Sequence, residues 1–178
     1  MPVEPPAPSD EANIVLTGFM GTGKSTVGRL VAERLGRRFV DTDAVIEARN
    51  GPIPRLFAEH GEDHFRRLER DLAAELATTS GLVVATGGRT MLDPANQATL
   101  GASGTVVCLA ASVDQLVLRL QDEAEHRPLL QGDDPARRIA ALLAERESGY
   151  ARFPQVATDG RTPEEVADDV IALATGAP

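Results

Sequence analysis

The segment from Gly18 to Ser25 carries the strongest chemical signal in the sequence. It reads Gly-Phe-Met-Gly-Thr-Gly-Lys-Ser and fits the pattern G-x-x-x-x-G-K-S/T in full. Glycines at this spacing let successive backbone N–H groups point at phosphate oxygens. The pattern therefore predicts a nucleoside triphosphate site, with Lys24 on the β- and γ-phosphates and the Ser25 hydroxyl on Mg²⁺. The predicted nucleotide-binding residues of this segment are Gly21, Thr22, Gly23, Lys24, Ser25 and Thr26.

The sequence lacks the run that GTPases use to bind guanine, and this narrows the choice of nucleotide base. The phosphate-binding motif by itself fits a kinase, a GTPase or a motor protein. Guanine is bound in GTPases by the run Asn-Lys-x-Asp, which does not occur in this sequence. Adenine is therefore favoured, and ATP is the predicted nucleotide.

Two carboxylates, Asp41 and Asp43, stand at the end of a predicted strand. On an extended chain they would share one side, at the edge of a parallel sheet where α/β proteins bind ligands. We expect Asp41 to hold Mg²⁺ through water and Asp43 to accept a hydrogen bond from the hydroxyl that is phosphorylated. Asp43 could also remove that proton, although phosphoryl transfer depends mainly on positioning and charge neutralisation. The competing interpretation is that one of the two only caps the next helix.

The composition excludes some classes of partner. The chain has 178 residues, of which 42% are apolar and 25% charged, and its formal net charge is −9. The apolar and charged fractions are both ordinary for a globular protein. The acidic surface would repel nucleic acid and anionic lipid, so we expect neither as a partner. An anionic substrate would need a local cluster of arginines.

The N-terminus and the single cysteine bear on location. The N-terminal run lacks the basic and apolar regions of a secretory signal, and no apolar run approaches the roughly 20 residues of a membrane span. Cys108 lies in the apolar run 105–110, cannot form an intrachain disulfide and is predicted to be a buried thiol. We expect a cytoplasmic monomer.

Short apolar runs separated by helical patterns predict the strands and helices that position these residues. Such strands, apolar on both sides, indicate a parallel sheet covered by helices on both faces. The predicted fold is a three-layer α/β/α arrangement with a five-stranded parallel sheet and the phosphate-binding loop after the first strand. The predicted strands are 13–17, 38–41, 82–85, 105–109 and a weaker 155–157. The predicted helices are 24–35, 42–49, 53–58, 62–78, 113–120, 135–148 and 163–173.

Two segments fall outside this pattern. Residues 1–12 are rich in proline and acid and are predicted to be a disordered tail before a single domain at 13–175. Residues 121–135 are polar, contain Gly132 and two prolines, and connect two predicted helices. Their composition is typical of a mobile lid and fits a plain surface loop equally well.

The ordered set of motifs resembles that of shikimate kinases, and the resemblance runs from Ile14 to about Ile171. It implies an ATP-dependent kinase that converts shikimate to shikimate 3-phosphate in the pathway to aromatic amino acids. The motifs that carry it are the phosphate-binding loop, Asp41-Thr-Asp43, Phe57-Ala-Glu-His-Gly-Glu-Asp-His-Phe-Arg66, Gly87-Gly88, Arg127-Pro-Leu-Leu130 and Arg146-x-x-x-Tyr150.

The resemblance also implies roles for individual residues. Arg66 and Arg146 would clamp the substrate carboxylate, since a guanidinium group matches a carboxylate with two hydrogen bonds. Backbone N–H groups of Gly87 and Gly88 would approach the substrate where no Cβ stands in the way. Two further arginines are placed at the nucleotide: Arg127 would swing over the phosphates and stabilise transition-state charge, and Arg119 would lie near adenine.

One position departs from the family. Shikimate kinases usually have three consecutive glycines where this chain has Gly87, Gly88 and Arg89. Arg89 could point away and leave its backbone to serve, or its side chain could enter the pocket. The second outcome would favour a related polyol acid or cyclitol as the acceptor. A non-catalytic nucleotide-binding module is a third hypothesis, against which the intact Lys24 and Ser25 weigh.

Overall fold

A computed structural model describes residues 11–121 and 134–176 of the chain. Five β-strands and eight α-helices lie in this part, with one short 3₁₀ helix, Thr90–Leu92. The strands are β1 (Asn13–Gly18), β2 (Arg38–Asp41), β3 (Leu82–Ala85), β4 (Gly104–Ala110) and β5 (Gln155–Ala157). The helices are α1 (Lys24–Leu35), α2 (Thr42–Asn50), α3 (Ile53–His60), α4 (Glu62–Ala77), α5 (Pro94–Ser103), α6 (Val113–Leu120), α7 (Pro135–Tyr150) and α8 (Pro163–Thr175).

The five strands form one parallel sheet in the order β2-β3-β1-β4-β5. The predicted five-stranded parallel sheet is therefore confirmed. Asp41 of β2 pairs in register with Ala85 of β3, which pairs with Leu16 of β1. Because parallel strands end at one edge, three segments leave the sheet side by side. They are the phosphate-binding loop after β1, the segment with Asp41 and Asp43 after β2, and the segment with Gly87 and Gly88 after β3.

Helices cover both faces of the sheet, as predicted for a three-layer arrangement. One core contains the inward residues Ile14 and Leu16 of β1 packed on α1 and α8. The alternate residue Val15 faces a second core formed with α2, α3, α4 and α5. Strands flanked in this way have no face in water, which explains why all six residues of β1 are buried.

The sequence prediction missed α5 and the 3₁₀ helix. α5 is rich in small and polar residues, so it has no apolar stripe at helical spacing. A start signal was nevertheless present, because Asp93 caps the helix by accepting a hydrogen bond from Ala95 N–H, and Pro94 follows at the first position. All seven predicted helices are confirmed, with ends that differ by at most two residues from the prediction.

The predicted lid and the predicted tail lie mainly outside the described residues, at 122–133 and 1–10. Glu11 and Ala12, at the end of the predicted tail, contact the domain. Arg37 pairs with the Glu11 carboxylate and donates to the Ala12 carbonyl over 2.9 Å. Within the part of the chain that the structure describes, no helix is long and apolar enough to cross a membrane.

Candidate active site

The phosphate-binding loop connects β1 to α1 in the form that the motif predicts. Gly21 and Gly23 have φ values of 78° and 91°, a region that only glycine adopts readily. The Thr22 hydroxyl donates to the Phe19 carbonyl over 2.8 Å, which braces the turn. Lys24 Nζ donates to the carbonyls of Gly18 and Phe19, both over 2.8 Å, so its ammonium group lies over the loop.

Ser25 and Asp41 meet directly across the edge of the sheet. The Ser25 hydroxyl donates to Asp41 Oδ2 over 2.6 Å. The second Asp41 oxygen accepts from Ala44 N–H over 3.2 Å and caps α2. Helix capping and contact with the phosphate-binding loop are thus combined in one carboxylate. The capping role that the sequence left open belongs to Asp41, and Asp43 makes no cap.

Asp43 lies in the first turn of α2, and the prediction that it shares an extended strand with Asp41 is wrong. The strand ends at Asp41 because its carboxylate starts the helix there. Asp43 still reaches the same cleft, where Oδ1 is buried without a hydrogen-bond partner among the described residues. Burial, helped by the nearby carboxylates of Glu69 and Asp41, raises its pKa to about 6.

Gly87 allows the chain after β3 to approach Asp43 closely. A Cβ at this position would lie 2.7 Å from Asp43 Oδ1 and 2.9 Å from the Thr90 hydroxyl, distances that real Cβ atoms do not show. The Gly87 N–H donates to the Thr42 hydroxyl over 3.1 Å. A protein atom thus already accepts this hydrogen, so binding of substrate by the Gly87 N–H would require exchange of that bond and stays a prediction. Gly88 also lines the cleft.

Arg66 is held by two carboxylates of its own helix, α4. Its Nη1 donates to Glu69 Oε2 over 2.6 Å, while Nε and Nη2 donate to Glu62 Oε1 over 3.1 and 2.9 Å. Glu69 is 2% exposed and also accepts from the Thr90 hydroxyl over 2.5 Å. This chain of hydrogen bonds fixes the guanidinium at the cleft wall.

Arg146 enters the cleft from α7 and is only 8% exposed. Its guanidinium carbon lies 5.2 Å from the centre of the Phe19 ring, and its Nε is buried with no hydrogen-bond partner in residues 11–121 and 134–176. No carboxylate within the described residues forms an ion pair with it. One turn further along α7, the Tyr150 hydroxyl donates to the Gly88 carbonyl over 2.6 Å. A buried cation without a carboxylate partner is suited to binding an anion.

These residues line one cleft of about 470 Å³, a size that suits a small molecule. Twelve of the predicted site residues lie in it. They are Gly21, Gly23, Lys24, Ser25, Thr26, Asp41, Asp43, Arg66, Gly87, Gly88, Arg89 and Arg146. Arg127, the remaining predicted residue at the phosphates, is outside the described residues.

An adjoining pocket of about 240 Å³ on the other side of the loop contains the two other predicted nucleotide residues, Thr22 and Arg119. Arg119 donates to the Gly21 carbonyl over 3.2 Å and to the Thr158 hydroxyl and carbonyl over 2.9 and 3.0 Å. The flat guanidinium is therefore fixed beside the phosphate-binding loop. Arg161 also lines this pocket and was not predicted.

The comparisons with known proteins agree with this geometry. The sequence model of the shikimate kinase family matches residues 20–175. A shikimate kinase from Geobacter metallireducens is 44% identical over 172 residues, which cover 96% of both proteins. One from Geobacter sulfurreducens is 46% identical over 165 residues, covering 92% of this chain and 91% of the relative. The chain belongs to the shikimate kinase family.

Solved structures of shikimate kinases have the same fold. The Acinetobacter baumannii enzyme in complex with shikimate superposes with a TM-score of 0.86, at 35% identity over 94% of both chains. A gluconokinase from Sinorhizobium meliloti, at 23% identity and a TM-score of 0.64, shares the fold alone. The predicted family, fold and reaction class are confirmed: as a member of this family, the chain is a phosphotransferase that acts on a hydroxyl group.

Sequence reasoning missed several residues that line or support the site, above all Glu69. A signal for it existed. The buried stripe of α4 runs through Phe65, Leu72, Ala73 and Leu76 at helical spacing, and Glu69 falls on the same stripe. A carboxylate on an apolar stripe needs a partner, and Arg66 one turn earlier supplies it. Thr90 could not be found in this way, because its role depends on the 3₁₀ helix.

Proposed function

We propose that this cleft phosphorylates the 3-hydroxyl of shikimate with ATP and releases shikimate 3-phosphate and ADP. The observation that carries the proposal is that one cleft combines the phosphate-binding loop, a buried carboxylate (Asp43) and two arginines (Arg66 and Arg146). These groups match the three parts of the reaction, which are the triphosphate, the acceptor hydroxyl and the acceptor carboxylate. Family membership independently supports the same reaction.

The triphosphate would lie along the phosphate-binding loop at the N-terminus of α1. Backbone N–H groups of the loop bind phosphate oxygens there, and the helix dipole favours the negative charge. Lys24 would exchange the carbonyls of Gly18 and Phe19 for the β- and γ-phosphates. Arg119 would contact adenine, and Arg127 would neutralise charge on the transferring group.

Ser25 and Asp41 have the chemistry to hold Mg²⁺. No group of three or more His, Cys, Asp or Glu side chains suited to a metal occurs among residues 11–121 and 134–176. Mg²⁺ needs no such group, because it keeps several waters and binds one or two protein oxygens together with phosphates. The Ser25 hydroxyl, 2.6 Å from Asp41 Oδ2, would bind the ion directly, and Asp41 would hold it through water. When bound, Mg²⁺ offsets the negative charge that the β- and γ-phosphates carry.

The acceptor would be held at both ends. Arg146, buried without a carboxylate partner, and Arg66 would bind the shikimate carboxylate. Asp43 Oδ1 would accept a hydrogen bond from the 3-hydroxyl. The hydroxyl oxygen then forms a bond to the γ-phosphorus as the bond from that phosphorus to the β,γ-bridging oxygen breaks. The hydroxyl proton passes to Asp43, whose raised pKa of about 6 makes it a better proton acceptor than an ordinary aspartate.

The single domain, the monomeric state and the cytoplasmic location remain proposals. The single cysteine, Cys108, has no partner for an intrachain disulfide, which favours a reducing compartment. Its thiol is 2% exposed, and burial raises its pKa to about 11. Such a thiol is unreactive because little of it is thiolate at neutral pH.

Acceptor-dependent release of ADP, measured with ATP and Mg²⁺, tests the proposal. Shikimate, quinate, gluconate, simple cyclitols and no acceptor should be compared in parallel. We expect strong stimulation by shikimate alone. Turnover of another acid without turnover of shikimate would support the second hypothesis, an acceptor altered by Arg89. ATP binding without stimulation by any acceptor would support the non-catalytic module.

A further inference from the structure

Glu62 is shared between two arginines at the mouth of the cleft. Its Oε1 accepts both hydrogen bonds from the Nε and Nη2 of Arg66 and lies 3.4 Å from Arg89 Nη1. The hydrogen bonds from Arg66, together with the charges of Arg66, Arg89 and Arg146, hold the pKa of Glu62 below its usual value. Glu62 is therefore an anion, and Arg89 is a second cation within its reach.

Arg66 cannot bind a new carboxylate through Nε and Nη2 while Glu62 is bound there. A guanidinium group binds a carboxylate with two parallel hydrogen bonds, and the edge formed by Nε and Nη2 is one of those able to do so. Glu62 occupies that edge, and Glu69 takes a hydrogen of Nη1. A substrate carboxylate gains the Nε and Nη2 edge only when Glu62 leaves it.

The two carboxylates on Arg66 differ in their freedom to leave. The Glu69 side chain is 2% exposed and is held additionally by the Thr90 hydroxyl. The side chains of Glu62 and Arg89 are 50% and 44% exposed at the rim. Glu62 is thus the partner of Arg66 that can be exchanged, and Arg89 is the nearby cation with which it can pair instead.

We infer that Arg89 is a positioning residue for substrate binding: it takes over Glu62 when the substrate carboxylate displaces Glu62 from Arg66. The inference rests on the proposed function and deepens it. Without Arg89, the displaced Glu62 carboxylate would face the incoming carboxylate with no cation of its own, and the repulsion would weaken substrate binding. Arg89 acts through Glu62 and Arg66 and need not touch the acceptor, so shikimate remains the substrate.

Arg89→Gln should raise the KM for shikimate about three- to fivefold, the upper part of the range for an ion pair whose partners are both partly exposed. We expect kcat to stay within about twofold and the KM for ATP to be unchanged, because no reacting group is altered. Arg89→Lys keeps the charge and should restore the KM to within about twofold of the wild type. Arg67→Gln is the matched control, since it removes an exposed arginine from α4 and should leave all three constants unchanged.

A double-mutant cycle with Glu62→Gln separates the inference from simple attraction between Arg89 and the substrate. If Arg89 acts by receiving Glu62, then adding Arg89→Gln to Glu62→Gln should change the KM for shikimate less than about twofold. If the full three- to fivefold effect persists in the Glu62→Gln background, or if Arg89→Gln alone has no effect, the inference is wrong while the proposed function stands. Absence of shikimate-dependent turnover in the wild type would overturn both.

Discussion

Asp43 is held in surroundings that oppose its ionised form. Its carboxylate lies close to the negative charges of Glu69 and Asp41, and Oδ1 has no hydrogen-bond partner among the described residues. A carboxylate placed for the needs of structure alone would be paired. The unpaired group is instead available to the acceptor hydroxyl, so we infer that the arrangement serves the reaction and costs stability.

Asp43→Asn should therefore stabilise the fold at pH 8. The folded pKa of about 6 lies above the ordinary value of 3.8, so the folded state binds the proton more tightly than the unfolded state does. Wild-type stability then falls as pH rises from about 4 to about 6 and stays lower above that range. We expect a gain of on the order of 2 kcal/mol for Asp43→Asn at pH 8, shrinking towards zero near pH 4.

Urea unfolding of both proteins at the two pH values measures this difference. Asp63→Asn is a suitable control, because Asp63 is an exposed carboxylate in the first turn of α4. The prediction fails if Asp43→Asn is equally or less stable than the wild type at pH 8.

The site depends on the close packing of three segments that leave the same edge of the sheet. The segment after β3 approaches the first turn of α2 because Gly87 has no side chain. The phosphate-binding loop lies beside them because β1 pairs with β3. Small changes in this packing should affect catalysis more than they affect the fold.

Gly87→Ala should reduce shikimate turnover strongly, by about 100-fold. The new Cβ would lie 2.7 Å from Asp43 Oδ1, so the carboxylate or the loop must shift, and misplacement of a reacting group by about 1 Å costs this much in rate. Steady-state kcat and KM for shikimate measure the effect.

Gly101→Ala in α5 is the matched control for that variant. A Cβ there meets nothing within 4 Å, and the residue is helical, so activity should be retained with a gain in stability of about 0.5–1 kcal/mol. Wild-type kcat in Gly87→Ala would show that the close approach at this position is not needed for the reaction.

Some elements and site residues could be predicted from the sequence, and others could not. The sheet and α1 were predictable because apolar runs and the phosphate-binding motif determine them locally. The start of α2 at Thr42 was predicted as well, but the capping residue was not, since the choice of Asp41 over Asp43 depends on the contacts of Asp41 with Ser25 and Ala44. The sequence identified Arg66 and Arg146 only through an ordered set of motifs. Glu69 and Thr90 become site residues only when helix α4 and the 3₁₀ helix are packed together.

The molecule as a whole is acidic, whereas its proposed substrates are anions. The formal net charge is −9, yet the cleft contains Lys24, Arg66, Arg89 and Arg146. At physiological salt the Debye length is about 8 Å, so charges spread over the surface are screened more than those a few ångströms from the ligand. The local arginines should therefore determine how the substrate is attracted.

Ionic strength distinguishes the local charge from the net charge. If the arginines of the cleft dominate, then raising KCl from 50 to 500 mM should increase the KM for shikimate, by about two- to threefold, because their attraction is screened. If the net charge of −9 dominated, screening its repulsion would lower the KM. A series at constant free Mg²⁺ and saturating ATP gives the sign directly.

In the proposed reaction, Asp43 accepts the proton of the shikimate hydroxyl as the oxygen of that hydroxyl takes the phosphoryl group. The most direct test measures shikimate-dependent ADP release by Asp43→Asn, with shikimate affinity determined in parallel by calorimetry. We expect kcat to fall by at least about 100-fold, the usual scale for loss of a general base. The dissociation constant of shikimate should change less than about tenfold, since Arg66 and Arg146 remain. A kcat within tenfold of the wild type would show that Asp43 is not the general base.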